Sequence, residues 1–261
     1  MRPLVLITGA SSGIGYELAL EFARHGYDVV AVARNAENLQ NLADTLTADF
    51  GVSCHTLSLN LAEPDAPAKL YNEMKSRSLT IDVLVNNAGF GTSGKFAATD
   101  LATELEMMQL NIVTVVHLTK LFLRGMQERG RGRILNVAST AGFQPGPLLA
   151  IYYASKAFAL SFSEALATEL EGSGLCASVL CPGPTRTRFQ ERADLKSMPL
   201  LSALFVRDPE FVARKAYRGL QKGKRIIIPG LLNKFGVFIV RLLPRKLVAS
   251  IVAGLHKRRL A

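Results

Sequence analysis

What restricts this chain most is a rhythm: short apolar runs, each ending in small or polar residues and each followed by residues spaced for a helix. Leu4-Val5-Leu6-Ile7 runs at once into Thr8-Gly9-Ala10-Ser11-Ser12-Gly13-Ile14-Gly15, and Leu18, Leu20, Phe22 and Ala23 then carry helical spacing to about Gly26. The same unit recurs. Asp28 to Ala33 precedes a helix over 36–50, Val52 to Leu59 precedes a helix over about 64–77, and Ile81 to Val85 precedes a long helix over about 101–127. Arg133 to Ala138, a helix from Tyr152 to about Glu171, Cys176 to Leu180, a helix over 208–219 and Ile226 to Ile228 complete the series. Strands separated by helices pair in parallel through right-handed crossovers, so the predicted fold class is α/β with an open, doubly wound sheet. At 261 residues the chain is long enough to bury a large core.

In such a sheet ligands bind beyond the carboxyl ends of the strands, and the punctuating residues fall there. Gly9, Ser11, Ser12, Gly13, Ile14 and Gly15 form a glycine-rich turn between strand and helix, where backbone amides can approach a pyrophosphate. The spacing is G-x-x-x-G-x-G, which a search for G-x-G-x-x-G would miss. The second strand ends in Ala33 and Arg34 with no acid to hold ribose hydroxyls, and a guanidinium suits a 2′-phosphate, so NADP(H) is expected over NAD(H). Asn60 and Leu61 follow the third strand, and Asn86-Asn87-Ala88-Gly89 the fourth.

Tyr152 and Lys156 stand four residues apart, on one face of a helix. An ammonium beside a phenol favours the phenolate and makes tyrosine a usable proton donor and acceptor. Tyr153 has no Lys at i+4 and is read as packing. Asn111, a poor helix former in the middle of the long helix, is either solvent-facing or a local distortion that frees a carbonyl. Ser139 closes the fifth strand.

Taken in order, Thr8–Gly15, Asn86–Gly89, Asn111, Ser139, Tyr152, Lys156 and Pro182-Gly183 resemble the short-chain dehydrogenase/reductase family over about residues 4–190. The resemblance implies a single Rossmann domain with seven strands in the order 3-2-1-4-5-6-7, assembled as a homodimer or homotetramer. It implies hydride transfer between a nicotinamide and a carbonyl or alcohol carbon. Tyr152 would be the general acid or base, Lys156 would lower its pKa and bond the nicotinamide ribose, and Ser139 would bond the substrate oxygen. Asn111 would hold a relay water through its main chain. Asn60, with Leu61 beside it, would face the adenine; Asn87, Ala88 and Gly89 would line the adenosine side. Pro182, Gly183, Thr185 and Thr187 would fix the carboxamide.

The resemblance implies a flap over the substrate at residues 188–210; its apolar residues (Met198, Pro199, Leu200, Leu201, Leu204, Phe205, Val206) either line a site for a hydrophobic, acyl-chain or sterol-like substrate or pack against neighbouring helices. The catalytic domain is set at 1–230 and a tail at 231–261. Residues 211–261 hold 13 of the 31 basic residues and no acid, and such asymmetry points to an anionic partner. The tail carries an apolar stripe at Leu247, Val248, Ile251, Val252 and Leu255. It is read as a lid or subunit contact, with a peripheral contact on an anionic membrane as the alternative. Its only aromatics are Phe235 and Phe238, which argues against nucleic acid.

Cys54, Cys176 and Cys181 lack C-x-x-C spacing and the four His are scattered, so no disulfide set and no metal are expected. Four apolar residues at the start are too few for a signal-peptide core, and the expected location is the cytoplasm, or its membrane surface. A nucleotide sensor or partner-binding protein on the same fold is the competing reading; the intact proton-relay set argues against it.

Overall fold

The computed structural model describes residues 2–187 and 206–260, without the side chains of 257–260. Seven strands form one sheet, ordered β3-β2-β1-β4-β5-β6-β7: β1 (Leu4–Thr8), β2 (Asp28–Ala33), β3 (Cys54–Ser58), β4 (Val83–Asn86), β5 (Gly132–Val137), β6 (Leu175–Leu180) and β7 (Ile226–Ile227). Every pairing is parallel. This is the doubly wound Rossmann-type sheet that the alternation and the resemblance led us to expect.

The strands read as continuous apolar runs because both faces are covered. Val5 and Ile7 point into one core, with Leu18 and Phe22 of α1 (Gly13–Arg24), Leu39 and Leu42 of α2 (Ala36–Phe50) and Val212 and Leu220 of a later helix over 209–221. Leu4 and Leu6, one residue out of phase, point into the opposite core, with Leu70 of α3 (Ala66–Ser76), Leu118 and Phe122 of the helix before β5, and Leu166 of the helix after it. Strands are added outward in one direction from β1 to β3 and in the other from β4 to β7, and the crevice opens at that switch, beyond the carboxyl ends of β1 and β4.

The long helix expected over 101–127 is broken. It runs as α4 (Leu101–Met108), a π turn (Gln109–Val113) and α5 (Thr114–Glu128), with Asn111 inside the turn and buried. Of the two readings of Asn111, distortion is the one observed, and the solvent-facing one is corrected. After β5 come α6 (Ala150–Glu169) and, beyond β6, α7 (Pro209–Gln221), α8 (Leu231–Leu242) and α9 (Arg245–Leu260). Of the apolar flap residues, Met198, Pro199, Leu200, Leu201, Leu204 and Phe205 lie outside the described residues, and Val206 is half-buried. Among the described residues no helix is long and apolar enough to cross a membrane.

Candidate active site

A cavity of about 810 Å³ lies at the carboxyl ends of the strands. Gly9, Ser11, Ser12, Gly13, Ile14, Gly15, Arg34, Asn60, Leu61, Asn87, Ala88, Gly89, Ser139, Tyr152, Lys156, Pro182, Gly183, Thr185 and Thr187 all line it. Asn111 does not; it stands behind the wall.

The cradle is built by close approach. Thr8 Oγ1 accepts from the backbone N–H of Asn87 (2.9 Å) and Ala88 (3.0 Å), and Asn87 Nδ2 donates back to Thr8 O (2.9 Å). These bonds stitch the ends of β1 and β4 together. Gly9 turns through φ 69°, and a Cβ there would come within 2.9 Å of Ala88 Cα. A Cβ on Gly15 would overlap Gly9 O. Ser12, the N-cap of α1, makes no capping bond through its side chain, and the first turn carries no acid. The positive end of α1 therefore faces the cavity, the surroundings a pyrophosphate requires. A dinucleotide fits these walls in shape and charge.

At the end of β2, Arg34 is exposed, and its guanidinium lies 3.8 Å from the Glu106 carboxylate. Asn60 Oδ1 accepts from Ala62 N at 3.3 Å.

Ser139, Tyr152 and Lys156 meet where β5 and α6 converge. Ser139, two residues beyond β5, accepts from Ala141 N (3.1 Å) and donates to Pro182 O (3.3 Å). Gly142 lets the next turn press against α6, since a Cβ there would stand 2.7 Å from Lys156 O. Lys156 is buried, and its ammonium donates to Val137 O at 2.9 Å, two residues before Ser139. Tyr152, in the first turn of α6, has the Lys156 Nζ 5.8 Å from its ring centroid.

One expectation needs correcting here. The lysine is expected to bring the phenol's pKa down; instead burial dominates and pushes Tyr152 up, with its hydrogen bond to the Ser139 side chain acting in the opposite sense. Burial likewise brings Lys156 down to about 8. Desolvation is the largest influence on both groups, and the ammonium donates to Val137 O.

Asn111 acts on its surroundings through its side chain: Oδ1 accepts from Phe90 N (3.2 Å), and Nδ2 donates to Phe90 O (3.0 Å) and Ser155 Oγ (3.1 Å). It thereby ties the loop after β4 to α6.

The reading of Tyr153 as mere packing is also corrected. Its hydroxyl lies 3.0 Å from His256 Nε2, while His256 Nδ1 lies 2.8 Å from Pro147 O. A carbonyl can only accept, so Nδ1 carries a proton and donates to Pro147, while Nε2 shares the second bond with the Tyr153 hydroxyl. Both residues line the cavity, with Asn233, Val237, Val240 and Val252 of α8 and α9. These tail positions were missed. The signal was present: the stripe Val248, Val252 continues one turn to His256, and all three are buried. Among the described residues no cluster of His, Cys, Asp or Glu could hold a metal.

The family model described as short chain dehydrogenase matches residues 3–197. The chain is 38% identical over 187 residues to the 17-beta-hydroxysteroid dehydrogenase type 3 of Mus musculus, covering 70% of this chain and 60% of that protein. It is 39% identical over 177 residues to the very-long-chain 3-oxoacyl-CoA reductase of Pyrenophora tritici-repentis, covering 65% of this chain and 51% of that protein. The chain thus spans about half to three-fifths of the length of these relatives. Among solved structures it resembles a short-chain dehydrogenase from Sphingobium yanoikuyae in complex with NADPH (32% identity, TM-score 0.82, 92% of this chain and 93% of that one). It also resembles a 7beta-hydroxysteroid dehydrogenase (26% identity, TM-score 0.88, 97% of this chain and 100% of that one). With the sheet order, the glycine cradle and the family match in agreement, the chain belongs to the short-chain dehydrogenase family.

Proposed function

We propose that the chain is an NADP(H)-dependent oxidoreductase that interconverts a carbonyl and an alcohol on a hydrophobic, acyl-chain or sterol-like substrate. The observation that carries this is the meeting of Ser139, Tyr152 and Lys156 on the floor of a cavity whose other half is a phosphate cradle. When bound, the dinucleotide supplies hydride in reduction and accepts it in oxidation.

The chain's own residues do the rest. Gly9, Ser11–Gly15 and the α1 N-terminus hold the pyrophosphate, Asn60, Leu61 and Asn87–Gly89 the adenosine, and Pro182, Gly183, Thr185 and Thr187 the nicotinamide end. Arg34 takes the 2′-phosphate, exchanging its contact with Glu106 for a stronger anion. Ser139 donates to the substrate oxygen, where negative charge gathers. Tyr152 gives that oxygen a proton in reduction and removes it in oxidation; its raised pKa keeps it protonated and ready to donate. Lys156 holds the floor together, and Asn111 positions α6 through Ser155. Val237, Val240, Val252 and Phe143 form an apolar wall suited to a hydrocarbon substrate, in keeping with the acyl and steroid chemistry named for the relatives. Exposed Leu105, Val113 and Val116 on the α4–α5 segment and Phe158 on α6 support a homodimer or homotetramer through these helices.

Turnover of ketones of graded chain length, measured with NADPH and with NADH, tests the reading. Tyr152→Phe should lower kcat by about 10²–10⁴-fold while NADPH still binds; undiminished turnover in that variant would refute the assignment.

A further inference from the structure

Residues 231–260 present two faces, and we propose that the outward one docks on an anionic lipid bilayer, so that the cavity mouth opens against the membrane and the substrate enters from it. The entry route rests on the oxidoreductase reading; the docking does not.

On α8, Leu231, Phe235, Phe238 and Leu242 recur at helical spacing and are 81%, 62%, 57% and 66% exposed. The positions between them turn inward: Val237 is buried, and both Val237 and Val240 line the cavity. The next helix repeats the arrangement, with Leu247, Ile251 and Leu255 exposed and Val248, Val252 and His256 buried. A surface helix facing water carries polar residues on its outer side. Here the outer side carries an apolar stripe of its own. Ile251 and Leu255 are both exposed and cavity-lining, so the cavity rim is continuous with the outward stripe.

Charge selects the occupant. Lys234, Arg241, Arg245 and Lys246 are exposed around the stripes, and residues 231–261 hold seven basic residues and no acid. A second copy on this face would set those charges against their equals, whereas an anionic surface neutralises them. Apolar stripe with basic flanks is the pattern of a helix lying in the headgroup layer, each cation adding about fivefold to the affinity.

The test is flotation of the full chain with vesicles of phosphatidylcholine alone or with phosphatidylglycerol added, beside the double variant Phe235→Asp, Phe238→Asp. Neither position lines the cavity, so NADPH-induced thermal stabilisation, unchanged in the variant, shows that the fold is kept. The full chain should float with the anionic vesicles and release in high salt; the variant should bind at least about tenfold more weakly. A long-chain ketone presented in anionic vesicles should be reduced correspondingly more slowly by the variant, and a short water-soluble ketone at the same rate. Equal partitioning of the two proteins, or no flotation with anionic vesicles, would overturn the proposal. So would a dimer that the double variant dissociates, which would give the face to a second copy. Flotation without turnover of any ketone leaves the docking standing and removes the oxidoreductase reading.

Discussion

Lys156 bears a cost that its neighbours reveal. Its ammonium has left water for a site where one carbonyl, that of Val137, receives it, and burial has brought its pKa from 10.5 to about 8. A charge held at that disadvantage destabilises the fold by about 3 kcal/mol while both folded and unfolded chains keep the proton. The sign follows from the lowered value. Between about pH 8 and 10.5 the unfolded chain holds more protons than the folded one, so this residue's penalty fades as pH rises. Lys156→Met should therefore be more stable than the parent in a denaturant titration at pH 7, with the gap narrowing towards pH 10, and should lose turnover at every pH. The pairing of Tyr152 with Lys156 was readable from their spacing; the bond that the ammonium makes was not, because it depends on a strand brought alongside from 19 residues earlier.

Elements reached the site by different degrees of local coding. The β1 turn and α1 are nearly self-specifying: glycines at 9, 13 and 15 sit where side chains would collide with Asn87, Thr187 or Gly9 O, and the sequence alone announced them. Gly15→Ala tests that crowding. Forcing a methyl against a backbone oxygen should lower stability by about 1–3 kcal/mol and weaken NADPH binding in a fluorescence titration, leaving the sheet intact by circular dichroism. The long helix before β5 was coded less openly. Its periodicity runs unbroken through 101–127, and only Asn111 hinted at the π turn, because the reward for the distortion lies in distant partners, Phe90 and Ser155. Leu148 is a further case: a leucine at φ 69° beside Pro147 has no local motive.

At the scale of the whole molecule, the two ends of the chain meet around one cavity. The sheet order followed from the alternation of elements and the family resemblance. The contribution of residues 233–256 did not, since a stripe of valines reads the same whether it closes a cavity or meets another subunit. His256 fastens this arrangement, as a positioning residue, by joining α9 to Tyr153 and to the Pro147 carbonyl. His256→Ala removes one hydrogen bond from each of two half-buried groups, the Tyr153 hydroxyl and the Pro147 carbonyl. It should lower stability by about 1–3 kcal/mol, make residues 245–260 exchange amide hydrogens faster, and raise KM for bulky ketones more than it lowers kcat. His256→Gln, which keeps a donor and an acceptor, should recover part of each effect.

That the wall opposite the cradle comes from residues 233–256, far downstream of Gly9–Gly15, has a consequence for the order of synthesis. On the ribosome the first five strands and their glycine turn emerge while the tail is still untranslated, so a nascent chain can grip its nucleotide before it has anywhere to confine a substrate. Selectivity is the last property this protein acquires.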